Sequence, residues 1–75
     1  MKYEQLVNLV GFNIKRCRER AGLTQEELSD KAGFNYMFYQ RVESRKANLT
    51  LRTISRISEV LKVHPLALIQ PIKKK

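Results

Sequence analysis

Side chains able to carry covalent or metal chemistry are scarce in these 75 residues. There is one cysteine, Cys17, and one histidine, His64, and most of the chain lies between them. Nucleophilic catalysis needs a serine or cysteine beside a base, and a structural zinc site needs about four ligands, so the chain provides for neither. A single cysteine cannot close an internal disulfide, no glycine-rich phosphate loop is present, and no metal or cofactor is expected. The residue types favour non-covalent chemistry instead. Fifteen Lys and Arg against seven Asp and Glu give a formal charge of +8, and a small domain so basic is expected to meet a polyanion, nucleic acid or an anionic membrane surface.

The membrane alternative is the weaker of the two. The terminal run Lys73, Lys74 and Lys75 contributes about 1 kcal/mol per lysine at such a surface and needs a second anchor. No apolar run approaches the roughly 20 residues of a membrane span. Leu6 to Phe12 is interrupted by Asn8 and followed by no small-residue cleavage site, so the chain reads as cytoplasmic, without a membrane partner. Its length allows one domain, expected over residues 1–72 with 73–75 as a basic tail. A chain this short buries only about 60% of its unfolded surface, so helix packing and association must supply its stability.

The elements follow from periodicity and punctuation. Neither proline precedes Pro65, and the segments between Gly11, Gly22 and Gly33 have helical spacing, so the expected class is all-α. Leu6, Val10, Ile14, Cys17 and Ala21 form one stripe of a first helix from Tyr3 to Ala21, stopped by Gly22, with Tyr3 as an N-terminal packing residue. Thr24 and Glu27 make a capping box, with Leu23 and Leu28 as its staple, opening a second helix from Gln25 to Ala32 that Gly33 ends. Asn35 can cap a third helix from Tyr36 to Ser44 in which Phe38, Tyr39 and Val42 share a face. Thr50 caps a fourth, through Leu61, with the stripe Leu51, Ile54, Ile57 and Leu61. His64 and Pro65 begin a fifth helix of one or two turns closed by Pro71.

Two short helices across a glycine turn, at about 24–44, match the helix-turn-helix pattern, whose second helix enters the DNA major groove. The segment Leu23-Thr24-Gln25-Glu26-Glu27-Leu28, then Gly33, then Val42-Glu43, resembles the Cro and phage-repressor helix-turn-helix family, called Xre-like, over roughly Val10 to Ile69. The resemblance implies a compact five-helix, lambda-repressor-like DNA-binding domain. Within it, Arg45-Lys46-Ala47-Asn48-Leu49-Thr50-Leu51 is similar to the loop and helix start of restriction-modification controller proteins. The chain departs from the family at Arg45, where glycine is usual, and at Leu49, where proline is common.

Carried over residue by residue, the resemblance places base reading on Tyr36, Met37, Gln40 and Arg41, which also form the outward face once Phe38, Tyr39 and Val42 point inward. Arg can bond guanine O6 and N7, Gln adenine N6 and N7, and Tyr or Met can lie against a thymine methyl. The competing reading of Tyr36, Met37 and Phe38 is packing at a helix start. Gln25, in the first turn of the second helix, is implied as a phosphate contact, with Arg45, Lys46, Asn48 and Arg52 as further candidates beside the reading helix. Each of these alone can also be read as solvated surface. The family commonly joins the positions of Arg18 and Glu43 by a partly buried ion pair; the alternative is a surface-exposed Glu43.

The expected function is that of a sequence-specific regulator that occupies a pseudo-palindromic operator as a dimer, either blocking RNA polymerase or touching it. The alternatives are a restriction-modification controller and a protein-interaction module that has lost DNA binding. Val60 lies off the fourth helix's stripe, and Leu66, Ala67, Leu68 and Ile69 cannot all face one small core. Val60, Leu66 and Ile69 are therefore the expected dimer interface.

Overall fold

Capping residues and glycines set the element boundaries in the computed structural model, which describes residues 1–71. The end of the expected domain at Ile72 and the tail Lys73 to Lys75 lie outside the described residues. Helix α1 runs Tyr3–Arg20, with Ala21 at its cap and Gly22 beyond it at φ 74°. Helix α2, Gln25–Ala32, opens on the reciprocal bonds of the capping box: Glu27 N donates to Thr24 Oγ1 at 3.0 Å and Thr24 N to Glu27 Oε1 at 2.8 Å. Gly33, at φ 73°, turns the chain in the left-handed region that a Cβ disfavours. Helix α3, Tyr36–Glu43, ends one residue before the expected Ser44, and α4 spans Leu51–Leu61 behind the Thr50 cap.

The expected fifth helix is a single 3-10 turn, Pro65–Leu68, so the described residues hold four α-helices and not five. Of the segment that Pro65 opens and Pro71 closes, only Pro65–Leu68 is helical. It closes on bonds from Ala67 N to the His64 carbonyl at 2.8 Å and from Ile69 N to the Leu66 carbonyl at 3.0 Å, while His64 Nδ1 caps it by accepting from Leu66 N at 3.1 Å.

All five elements contribute to one core, in which Ile14, Leu28, Tyr39, Ile57 and Leu68 are fully buried. The stripes are shorter than their periodicity suggests. Leu51 is 81% exposed, because the side chain of a helix's first residue leans toward the N-terminal end, here past the edge of the core. Leu6 and Ala21, at the two ends of the α1 stripe, are exposed, as is Tyr3; Cys17 is half-buried against the core. The buried side of α1 instead includes two polar residues, Asn13 and Arg18. Asn13 Nδ2 donates to the carbonyls of Leu68 at 3.1 Å and Gln70 at 2.7 Å, tying the 3-10 turn to α1. Arg56 Nε does the same for the end of α2, donating to the Ala32 carbonyl at 3.0 Å.

Helices α1 and α3 meet at Gly11. A Cβ there would stand 2.9 Å from the Val42 carbonyl oxygen and 3.0 Å from Arg45 Cγ. Alanine gains about 1 kcal/mol of helix propensity, yet overpacking costs about 1 to 3 kcal/mol, and a backbone carbonyl yields little. Gly11→Ala is expected to destabilise by about 1 kcal/mol, a Tm lower by roughly 4 to 8 °C in calorimetry. An unchanged or higher Tm would show that the two helices separate freely at this point.

Candidate nucleic-acid interface

The orientation of α3 is set from both of its ends. At its start Asn35 Oδ1 accepts from Phe38 N at 3.2 Å. Phe34, just before it, meets the Phe38 ring edge-on with centroids 5.5 Å apart and lies nearly parallel to the Tyr39 ring at 6.5 Å. Phe38 is thus half-buried aromatic packing, while Tyr39 and Val42 go fully into the core. The opposite side of the helix is left to solvent: Tyr36 is 41% and Met37 72% exposed, and Gln40 and Arg41 are exposed beside them.

At its other end α3 is held by a buried carboxylate. Arg18 Nε donates to Glu43 Oε2 at 2.6 Å and Arg18 Nη2 to Oε1 at 3.1 Å, a bidentate pair joining α1 to α3. The remaining Arg18 nitrogen, Nη1, donates to the Leu23 carbonyl at 2.6 Å, and Gln25 Nε2 donates to Glu43 Oε1 at 2.9 Å from the first turn of α2. The Tyr39 hydroxyl donates to Glu43 Oε2 as well. Burial pushes the Glu43 carboxyl up, but the bonds from Arg18, Gln25 and Tyr39 outweigh it and hold the group below the usual carboxylate range. The same bond to Glu43 raises the Arg18 guanidinium, and burial pushes the Tyr39 phenol up. Glu43 is therefore ionised at neutral pH.

These constraints gather some of the expected contact residues and separate others. Gln25, Met37, Gln40, Arg41 and Lys46 line one groove, together with Lys15 from α1. Arg41 Nη2 reaches the Lys46 carbonyl only at 3.4 Å, a weak bond that a better acceptor would displace. Arg45 and Asn48 line a different cleft, against the N-terminal turn of α1, and Lys46, between the two, borders both. Arg45 takes the left-handed conformation, φ 68°, at the position where glycine is usual in the family, and its guanidinium lies 6.0 Å from the Phe12 ring centroid. Arg16 lies 5.8 Å from the same centroid. Arg52, exposed in the first turn of α4, lines neither cleft.

One residue of this surface escaped sequence reading. Nothing in its spacing sets Lys15 apart from the other cations of α1, and only the crossing of α1 over α3 brings it to the groove. Gln25, the expected phosphate contact, lies in the same groove, but it is half-buried and committed on one side to Glu43, a bond its sequence position does not announce. The outermost expected interface residue, Leu66, is 55% exposed, whereas Val60 and Ile69 are half-buried and pack on the core.

This arrangement is shared with proteins named as regulators. Residues 14–68 match the helix-turn-helix family model. The chain is 35% identical over 63 residues to the uncharacterized HTH-type transcriptional regulator y4dJ of Sinorhizobium fredii, covering 84% of this chain and 82% of the relative. Its fold superposes on the hypothetical transcription factor NHTF from Neisseria with a TM-score of 0.85 at 28% identity, covering 95% of this chain and 83% of the other. The restriction-modification controller protein C.AhdI from Aeromonas hydrophila gives a TM-score of 0.79 at 26% identity, with 83% and 94% covered.

Removing either charge of the Arg18–Glu43 pair strands the other in a nearly dry site, so Glu43→Gln and Arg18→Met are each expected to destabilise by about 3 to 5 kcal/mol. In a double-mutant cycle the two losses should be strongly non-additive, and a coupling near zero would refute the pair. The carboxyl's pKa is depressed in the fold, so its stabilisation is present above the unfolded value and is lost as pH falls through the folded one. Thermal melts should therefore show wild type losing its advantage over Glu43→Gln below pH 4.5. An advantage that persists through that window would contradict an ionised, hydrogen-bonded Glu43.

Proposed function

The chain belongs to the Xre-like helix-turn-helix family of DNA-binding transcriptional regulators, and from that premise we propose that it reads a pseudo-palindromic operator as a symmetric dimer, with α3 in the major groove. One observation carries the reading. The solvent side of α3 presents Tyr36, Met37, Gln40 and Arg41, while the other side is locked to the core through Tyr39, Val42 and Glu43. A helix so held is a rigid probe, and an α-helix fits a groove about 12 Å wide.

In this arrangement Gln40 and Arg41 read base edges, and Tyr36 and Met37 meet thymine methyls. Lys46, beside Arg41 in the groove, takes a phosphate, as does Gln25 through the amide proton that Glu43 leaves free. Lys15 is in place to do the same from α1. Arg45, Asn48 and Arg52 extend the phosphate track along the loop and the start of α4. The activity is binding and not catalysis. In the dimer, exposed Leu66 on the terminal turn meets its counterpart, with half-buried Ile69 and Val60 beside it in the contact, and the two reading helices stand about 34 Å apart on successive major-groove faces.

A narrower reading is favoured by the likeness to C.AhdI at 26% identity over most of both chains: a controller that activates as well as represses a restriction gene, touching RNA polymerase from its operator. Reporter output measured against protein concentration separates the two roles. A controller raises output before lowering it, and a plain repressor only lowers it.

Arg41→Ala is expected to relax preference at one base position per half-site and to cost roughly 1 to 3 kcal/mol on cognate DNA only. Lys46→Ala should weaken cognate and scrambled duplexes alike and reduce the salt dependence by about one counterion. Equal losses on both duplexes for both variants would mean that α3 does not present the reading face.

In sedimentation equilibrium the wild type is expected to dimerise in the micromolar range and Leu66→Glu to remain monomeric. A wild type that stays monomeric to high micromolar concentration and binds one asymmetric site would contradict the dimer.

A further inference from the structure

We propose that Tyr3, on the first turn of α1, is a positioning residue for DNA binding: its hydroxyl holds the Asn48 side-chain amide so that the donor end is presented to a DNA phosphate. The inference rests on the reading of the loop after α3 as a phosphate-contacting segment, and it assigns a role to a residue whose periodicity marks it only as packing.

Tyr3 does not pack. Its ring is 59% exposed, and its hydroxyl donates to Asn48 Oδ1 at 2.6 Å, joining residues 45 apart in the chain. That separation belongs to an O–H···O bond, since bonds from an amide nitrogen lie about 2.9 to 3.0 Å long. The amide oxygen therefore faces the phenol. Nδ2, with both of its protons, has no partner among the described residues, and Asn48 is exposed.

A phosphate oxygen can only accept. An untethered asparagine offers it an oxygen as readily as a nitrogen, and must give up rotamer freedom when it binds. The phenol removes both handicaps: it occupies the wrong end of the amide and fixes the side chain before DNA arrives. The surroundings agree on where the anion would lie. Tyr3, Glu4, Arg45, Lys46 and Asn48 line the cleft between the α1 turn and the loop. The Glu4 carboxylate repels an anion close to it, so the phosphate belongs on the loop side of the cleft, with Asn48 and the two cations, all three exposed. The first turn of α1 thus becomes part of the DNA-binding surface without touching DNA itself.

The test compares Tyr3→Phe, Asn48→Ala and the double variant in the full chain, with Kd read by fluorescence anisotropy on an operator duplex selected from a random pool with the wild type and on a scrambled duplex of equal length. Tyr3→Phe removes one oxygen atom at an exposed site and is expected to lower Tm by less than about 3 °C. It should nevertheless weaken binding about three- to tenfold, equally on both duplexes, because the contact is to phosphate. The slope of log K against log salt should stay unchanged, since no charge is lost. On the Asn48→Ala background, Tyr3→Phe should have no further effect. Wild-type affinity in Tyr3→Phe alongside weakened binding in Asn48→Ala would overturn the role of Tyr3 and leave the loop reading intact. Wild-type affinity in Asn48→Ala would overturn Asn48 as a phosphate contact, and this inference with it. Losses for Tyr3→Phe that persist on the Asn48→Ala background, or that track a fall in Tm, would assign Tyr3 to stability and not to binding.

Discussion

The rest of the structure depends on one ionised carboxylate taken out of water. Withdrawing such a charge costs several kcal/mol even after relaxation, and a single ion pair does not reliably repay it. Glu43 is repaid by number and geometry: two bonds from Arg18, one from Gln25 and one from Tyr39 fill its two oxygens. Each donor comes from a different place, α1, α2 and α3 itself. The carboxylate therefore fixes the angle of α3 relative to the other two helices, which apolar packing specifies less sharply. Arg18 adds the Leu23 carbonyl, so the chain entering α2 is held by the same guanidinium.

That arrangement matters because a short helix has little else to hold it. Helix α3 has eight residues, below the length at which an isolated helix is stable in water. Its inward residues cannot vary without loosening the outward ones. The neighbouring loop is constrained in a second way, by contact of Arg45 with α1. Arg45 occupies a left-handed conformation that costs a residue with a Cβ about 1 to 2 kcal/mol; its stem lies beside Gly11 and its head near Phe12. Those contacts offset the strain, and they draw Arg45 toward α1 and away from the groove that Gln40 and Arg41 line.

How much of this was legible in the sequence depended on the range of the interaction. The bounds of α2 could be read because Thr24, Glu27 and Gly33 act on their own backbone within a few residues, and Asn35 and Thr50 marked two more starts in the same way. The Arg18–Glu43 pair spans 25 positions and came from family resemblance, not from spacing. Bonds with no family precedent in the reading were missed altogether: Gln25 to Glu43, Asn13 to the terminal turn, Tyr3 to Asn48. Periodicity also overestimated the core. It finds the side of a helix that faces inward but carries no information on where the core ends, so Leu6 and Leu51 read as buried. The fifth element was read at the right place as one or two helical turns but counted as a full helix, since proline signals mark a start and a stop without fixing the hydrogen-bond pattern between them; it is one 3-10 turn. At the interface, the outward residues of α3 were legible as soon as Tyr39 and Val42 were placed inward. The division of the loop residues between two clefts was not, because it depends on how α1 crosses α3.

The central claim is that a rigidly held α3 makes this basic domain a reader of sequence and not merely a binder of charge. Selection of bound duplexes from a random pool, repeated across a salt series, tests it most directly. The account predicts a two-fold symmetric motif whose affinity exceeds that of random duplexes by more than about 10³ at physiological salt, with the excess persisting as salt weakens all binding. Uniform weak binding that fades with salt and enriches no motif would contradict it.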